Sequence, residues 1–461
     1  MEQFEHIEDL LGQLPFLKTY SHLLLCFAHP PGASVQEVES WWKSAALQLS
    51  TAIPWVAGQV VHTPPEPGSS GKAKIAPCEK WTPPNTIVTV QDCSDRTPSF
   101  DEIIAARGSI PQLDGYLLSP APHKAFPESY PEATTPDDAA PVLAIQLNFV
   151  RGGVLVDCAA QHNFIDMSGI EQCLRLLAVA MRGDPFPQPA LEQALRDRRT
   201  VVPLLQPGES DRYDHTRILR NPSQPFPVPL DPASPFSWRY YRFTRDAQNR
   251  LKTLAEQSLP SDADPATYIS TNDALSAFCW QRITSARLAR HHTPDAIAKF
   301  TRAVDARPAM RVPAEYPGNL VTTALTCFTF RELVGAPLGQ IASALRRDLL
   351  TVNNETYIRS FATFLASLPD RSRVSFAGNF NPDTDVGSSS WAHVGLSAEG
   401  FGRMGKPALI RRPDFVPIRS CLYFMPRTEE GDVDALVCLN GPDFEALDRD
   451  GAWTGCTEYI G

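Results

Sequence analysis

Apolar residues along this chain change their period several times, and each change marks an element. Trp41, Trp42, Ala45, Leu47 and Leu49 form one face of a helix predicted over Val35 to Ser50. Pro54 and Gly58 punctuate the run that follows, and a strand begins near Val60. From Val142 to Val150 apolar and polar positions alternate, Arg151-Gly152-Gly153 turns the chain, and Val154 to Ala160 returns. A Gly-Gly turn between two alternating runs predicts a β-hairpin. Beyond Gly169 the spacing of Ile170, Cys173, Leu174, Leu177 and Met181 is helical, closed by Gly183 and Pro185. Gln161 to Ser168 is therefore a loop between a strand end and a helix start, a common place for functional side chains.

The second half repeats this mixture. Trp238 to Phe243 predicts a strand, Thr244 caps a helix to about Gln257, and a longer helix starts near Ser270-Thr271-Asn272-Asp273 and reaches about Ala289. Strands are predicted at Phe300 to Asp305, Val321 to Phe330, Ile418 to Met425 and Asp434 to Leu439, with a helix at Leu338 to Val352. Helices mixed with antiparallel strands in both halves indicate an α+β class with mixed sheets flanked by helices. At 461 residues the chain exceeds one ordinary core. The expected division is 1–190, a Pro-rich crossover over 191–236, and 237–461.

Composition narrows the function. The 43 prolines gather in stretches such as Thr63 to Gly68 and Leu118 to Asp138, which predicts long surface excursions. A formal charge of -10 excludes broad phosphate tracking, so no nucleic-acid partner is expected. Ten scattered cysteines without CxxC spacing suit free thiols in a reducing compartment and no metal site. The acidic start Met1-Glu2-Gln3-Phe4-Glu5 lacks a signal-peptide core, and no apolar run has membrane-spanning length, so a cytoplasmic location is expected.

The loop Gln161-His162-Asn163-Phe164-Ile165-Asp166-Met167-Ser168-Gly169 carries the chemistry. An HxxxD match alone is weak, and His291-His292-Thr293-Pro294-Asp295 also fits. Context separates them, because His162 directly follows a buried-type strand, whereas the second match lies in an exposed connection between a helix ending near Arg290 and a strand beginning near Phe300, with no preceding hairpin. An imidazole near neutral pKa can take a proton from a hydroxyl. Asp166 either orients that imidazole or pairs with an arginine and braces the loop. The bland readings are a satisfied histidine at a strand end and a carboxylate at a helix N-terminus.

Further landmarks stand in order along the chain. Ile53-Pro54-Trp55-Val56-Ala57-Gly58, the Gly152-Gly153 hairpin, Ala274-Leu275-Ser276-Ala277-Phe278-Cys279-Trp280, Val304-Asp305-Ala306-Arg307 with Tyr316-Pro317-Gly318-Asn319, and Ser389-Ser390-Trp391 with Gly400-Phe401-Gly402 and Gly405-Lys406-Pro407 follow one another. With the HxxxD loop they resemble the BAHD acyltransferase superfamily, in its fungal, trichothecene 3-O-acetyltransferase-like branch. Two departures stand out. Met167 and Ser168 separate Asp166 from Gly169, and Ala398 and Glu399 replace the Asp and Phe of the family's DFGWG segment.

The resemblance implies two chloramphenicol-acetyltransferase-like domains with a channel between them, His162 midway as general base and Asp166 bracing. It implies a monomer with no tightly bound cofactor, using acetyl-CoA or another acyl-CoA as co-substrate and a small lipophilic alcohol as acceptor. Gly169, Ser270, Ser390, Trp391 and Phe401 are its candidate substrate or CoA contacts, with Ser390 or a nearby backbone N–H facing the oxyanion. Ser270 has a second reading as a helix cap, and Trp391 and Phe401 as packed aromatics. Asp305, Arg307, Asn319 and Gly402 are structural by the same resemblance. Loss of the DFGWG aspartate implies that Arg307 lacks its customary partner, with Glu399 as the substitute. Rival readings are an amide-forming condensation-type enzyme, disfavoured by Gln161 where such domains carry a second His, a drifted enzyme catalysing rearrangement or hydrolysis, and a non-catalytic binder.

Overall fold

The computed structural model describes residues 2–63, 66–120, 139–209, 212–221, 223, 235–260, 268–291 and 293–461. Its first strands are β1 (Tyr20–Ala28), β2 (Gln59–His62), β3 (Ala73–Ala76), β4 (Val88–Asp92), β5 (Ala140–Pro141), β6 (Leu143–Val150) and β7 (Gly153–Gln161). The remainder are β8 (Phe236–Phe243), β9 (Ile297–Asp305), β10 (Val321–Thr329), β11 (Val386–Ser390), β12 (Leu409–Arg411), β13 (Cys421–Phe424), β14 (Val433–Asn440) and β15 (Glu458–Tyr459).

Two mixed sheets organise the molecule, one in the order β12-β1-β7-β6-β4 and one in the order β10-β9-β11-β13-β14-β8-β15. A small third sheet, β3-β2-β5, sits beside them. The expected hairpin is β6–β7, with Leu143 opposite Ala160 and Val150 opposite Gly153. Gly152 closes it at φ +80°, a conformation that a Cβ disfavours. β12 comes from the second half of the chain yet pairs with β1 of the first sheet, Leu24 opposite Arg411. Arg411 then reaches Asp434 of β14 at 2.8 Å, tying the two sheets through a buried ion pair.

Helices cover both sheets where the apolar period demanded. Ser34 caps the helix Val35–Ala52 reciprocally with Glu37, and Trp42, Ala45, Ala46 and Leu49 point into the core. Thr244 caps Arg245–Gln257 as expected. Thr271–His291 buries Leu275, Phe278, Trp280 and Ile283 beneath the second sheet.

Some elements escaped the period. β1, Tyr-Ser-His-Leu-Leu-Leu-Cys-Phe-Ala, is buried on both faces, so it shows no alternation. β11 is Val-Gly-Ser-Ser-Ser, a composition that ordinarily marks a loop. The helix Glu355–Ser367 does carry a signal, an Asn354 cap and apolar residues at Ile358, Phe361, Ala362 and Leu365. The strand predicted to Phe330 ends at Thr329, because Thr329 caps a helix that begins there.

Most of the Pro-rich stretch Leu118 to Asp138 lies outside the described residues, as do 210–211, 222 and 224–234 of the expected crossover. Among the described residues no helix is long and apolar enough to cross a membrane, and no cluster of His, Cys, Asp or Glu could hold a metal.

Candidate active site

The two sheets face each other across a cavity of about 1680 Å³, counting its open ends. β1 contributes Tyr20, Ser21 and His22, and β9, β10, β11 and β13 contribute the opposite wall. His162 lines this cavity at the end of β7. Its backbone N–H donates to the Thr19 carbonyl at 2.8 Å, which locks the strand end against the residue preceding β1.

The loop is fastened from below as well. Gln161 turns inward, its side chain accepting from Asn163 N–H at 2.8 Å and donating to Asn163 Oδ1 at 2.9 Å. Asn163 donates to the Gly12 and Leu14 carbonyls, and Arg198 donates to the Phe164 carbonyl at 2.7 Å. Asn319 donates to the His162 carbonyl at 2.6 Å and lies 3.4 Å from its Nδ1. Burial pushes the His162 imidazole below its ordinary value, while a ring hydrogen bond to its own backbone carbonyl and the Asp166 charge act in the opposite direction. At neutral pH the arrangement is a proton acceptor on the wall of an apolar chamber.

Asp166 does not orient the ring. It caps the helix Met167–Met181, and its oxygens accept from Arg307 at 2.9 and 3.0 Å, from Gly169 N–H at 2.9 Å and from Leu320 N–H at 2.9 Å. Burial alone would raise its pKa, but the Arg307 charge and these four bonds hold the carboxyl below the usual range. Burial likewise opposes the Arg307 charge, and the Asp166 and Asp305 carboxylates more than offset it. Arg307 also donates to the Tyr316 and Gly318 carbonyls, so one guanidinium gathers the His loop and the Tyr316–Asn319 turn.

The expected exchange of partners is corrected here. Arg307 does not lack a carboxylate, because Asp166 and Asp305 supply two. Glu399 lies elsewhere, accepting from Arg175 and Arg182 at 2.7 Å each. The DFGWG change therefore falls on the packing of Glu399 against the helix Met167–Met181, away from Arg307.

The candidate contacts divide. Trp391 lines the cavity, whereas Gly169, Ser270, Ser390 and Phe401 are absent from its wall. Gly169 is spaceless instead, since a Cβ there would stand 2.1 Å from the Pro317 carbonyl oxygen. Ser270 caps Asp273 and receives its carboxylate in return, so its hydroxyl is spent on the helix start. Phe401 is fully buried between Trp42 and Phe27, at centroid distances of 5.7 and 5.4 Å. Gly402 follows at φ +54°, where a Cβ would meet the Met181 carbonyl at 2.3 Å. At β11 the wall comes from Ser388 and Ser389, not Ser390. The Trp391 indole donates to Ser389 Oγ at 3.1 Å, which leaves the Ser389 hydroxyl proton to be given elsewhere. The second HxxxD match is partly outside the described residues, and its exposed Asp295 pairs with Arg331.

Sequence reasoning missed His22. This ring lines the same cavity, and its Nδ1 lies 2.9 Å from Asp157 Oδ2 and 3.1 Å from Ser119 Oγ. The available signal was a titratable residue inside an apolar strand; its partner is 135 positions away.

Comparison with known proteins agrees with this geometry. Residues 19–181 match the trichothecene 3-O-acetyltransferase-like N-terminal domain, and residues 110–452 match the Transferase family. The O-acyltransferase pigD of Monascus ruber is 46% identical over 465 residues, covering 100% of both chains. The O-acetyltransferase epaC of Aspergillus niger is 43% identical, over 100% of this chain and 98% of the other. The crystal structure of F. sporotrichioides TRI101 complexed with coenzyme A and T-2 superposes with a TM-score of 0.87 at 33% identity, over 98% of this chain and 99% of that one.

Proposed function

The chain belongs to the Transferase family and is an acyl-CoA:alcohol O-acyltransferase, and from that premise we propose that it acetylates a hydroxyl of a small lipophilic secondary metabolite with His162 as general base. The observation that carries this reading is the His162 ring on the wall of the cavity between the sheets, held at the end of β7 by Asn319 and kept towards its neutral, proton-accepting form by burial. The relatives' names, O-acetyltransferase and O-acyltransferase, support an acetyl or larger acyl group. The CoA and T-2 in the F. sporotrichioides complex support a thioester donor and a terpenoid-sized acceptor.

In this mechanism Nε2 of His162 takes the acceptor's O–H proton as the oxygen attacks the thioester carbonyl carbon. The tetrahedral oxyanion accepts a hydrogen bond from Ser389, whose hydroxyl receives the Trp391 indole and gives its own proton onward. Collapse breaks the C–S bond, and the imidazolium returns its proton to the departing CoA thiolate. No covalent acyl-enzyme is needed, because a thioester is already activated. Asp166 and Arg307 hold the loop and touch no reacting atom.

Free-thiol release from acetyl-CoA with a panel of lipophilic alcohols, followed by product mass spectrometry, tests the proposal. His162→Ala is expected to lower kcat by about 100- to 10,000-fold. Turnover that survives this substitution overturns the role of His162. Product formed without thioester consumption overturns acyl transfer itself.

A further inference from the structure

Ahead of β1 the chain passes beneath the His162 loop, and one buried carboxylate there reaches three of the loop's fastenings. Asp9 is 5% exposed, and its Oδ1 accepts from the Gly12 N–H at 2.6 Å. Gly12 presents its own carbonyl to Asn163, and its backbone runs so close to the loop that a Cβ would stand 2.0 Å from the Asn163 carbonyl oxygen. Asp9 also draws on the backbone N–H of Asn319, whose side chain donates to the His162 carbonyl. Its Oδ2 lies 3.7 Å from Nη1 of Arg198, the nitrogen that donates to the Phe164 carbonyl at 2.7 Å.

Arg198 is 2% exposed and commits a whole guanidinium to this place. Its charge rests over the Trp55 ring at 4.5 Å and lies 5.7 Å from the Tyr316 ring, which supplies part of what water would give it. Nε and Nη2 of Arg198 and Oδ2 of Asp9 make no hydrogen bond among the described residues. Replacing a buried ion pair by apolar side chains is commonly neutral or stabilising, so packing alone does not call for these two residues. Burial pushes the Asp9 carboxyl up to about 7, with the Asp166 charge acting the same way and the Arg198 charge and the Gly12 and Asn319 N–H groups opposing it. Charged and neutral forms therefore coexist near neutrality. Both keep an oxygen that accepts from Gly12, so the acceptor fixes the segment more than the charge does.

Resting on His162 as the proton acceptor, we infer that Asp9 and Arg198 are positioning residues for it, joining the segment ahead of β1, the His162 loop and the Asn319 turn into one rigid seat for the ring. Gly12 and Asn163 carry the constraint to one side of His162, Asn319 holds its carbonyl, and Arg198 fixes Phe164 just beyond. Neither Asp9 nor Arg198 lines the cavity, so each acts through the loop.

The test measures kcat and the KM for acetyl-CoA by thiol release, with urea unfolding to give the folded fraction, in Asp9→Ala, Asp9→Asn and Arg198→Met. Asp9→Ala and Arg198→Met should each lower kcat per folded molecule by about tenfold to a hundredfold at unchanged KM, the usual cost of a misplacement near an ångström. Asp9→Asn, which keeps an oxygen for Gly12, should recover most of that loss. Phe401→Ala is the control that loses stability elsewhere, and it should keep the wild-type kcat. The acid limb of kcat/KM should hold its place in every variant, because His162 sets it. Wild-type kcat in folded Asp9→Ala and Arg198→Met, or a fall in kcat that Phe401→Ala shares, reduces the pair to a structural element and overturns the inference. A limb that moves in Asp9→Asn makes the carboxyl a proton carrier and overturns it as well. Where Asp9→Ala does not fold, Arg198→Met decides by the same outcomes. Failure of the His162 reading shows separately, as turnover that survives His162→Ala.

Discussion

Removing the Asp166 carboxylate distinguishes a brace from a catalytic partner. In the native protein Asp166 and Arg307 are 1% and 2% exposed, and the carboxylate accepts two guanidinium and two backbone bonds. Asp166→Ala leaves a buried guanidinium short of one partner and strands the Gly169 and Leu320 N–H groups. Breaking a buried pair typically costs about 3–5 kcal/mol. Arg307 keeps Asp305 at 2.8 Å and two carbonyls, which sets the loss near the low end of that range. Arg307→Met should cost a similar amount, and the double variant about 1–3 kcal/mol less than the sum, since one interaction is removed twice. Urea unfolding of the four proteins measures this cycle, with steady-state thiol release in parallel. Both single variants should lose kcat together, about 100-fold if the His162 loop shifts by an ångström. The sign with pH is set by the depressed carboxyl. The pair's stabilisation is fully present above the unfolded aspartate value, about 3.9, and is lost as pH falls through the lower folded value. The reasoning is refuted if Arg307→Met keeps full kcat while Asp166→Asn loses it without loss of stability, because the carboxylate would then act on the imidazole.

Other measurements probe the remaining assignments. Ser389→Ala should lower kcat by about 100-fold or more at little change in KM, as loss of an oxyanion donor does, while Ser390→Ala stays near wild type; equal effects would undo the placement of the oxyanion. Because burial lowers the His162 value, the acid limb of kcat/KM should fall below pH 6.5, with the base form intact at neutrality. A limb at or above 6.5 contradicts the buried, neutral imidazole. Phe401→Ala should cost about 3–5 kcal/mol in unfolding free energy through the lost Trp42 and Phe27 contacts, leaving the KM for acetyl-CoA unaltered. A raised KM in a protein of undiminished stability would return Phe401 to the binding surface.

Much of this protein was legible from local pattern. The β6–β7 hairpin, the Thr244 cap, the long helix after Ser270 and the loop holding His162 each depend on neighbours a few residues away, where period, turn chemistry and capping act. The proposed proton acceptor, His162, stood out as a histidine at a strand end beside a carboxylate, within a run of landmarks in order. What local pattern withheld was every choice between distant partners. Asp166 could pair with the ring or an arginine, and only the meeting with Arg307, 141 positions on, decided it. Glu399 met Arg175 and Arg182 across more than 200 positions, and His22 met Asp157 across 135. β1 lacked a period because both its faces are covered, and β12 joined the opposite sheet, a pairing no short-range rule specifies. The physical reason is common to all of them. Backbone conformation answers to sterics and hydrogen bonding within a turn or two, whereas a buried charge answers to whichever counter-charge the folded chain delivers within a few ångströms of it.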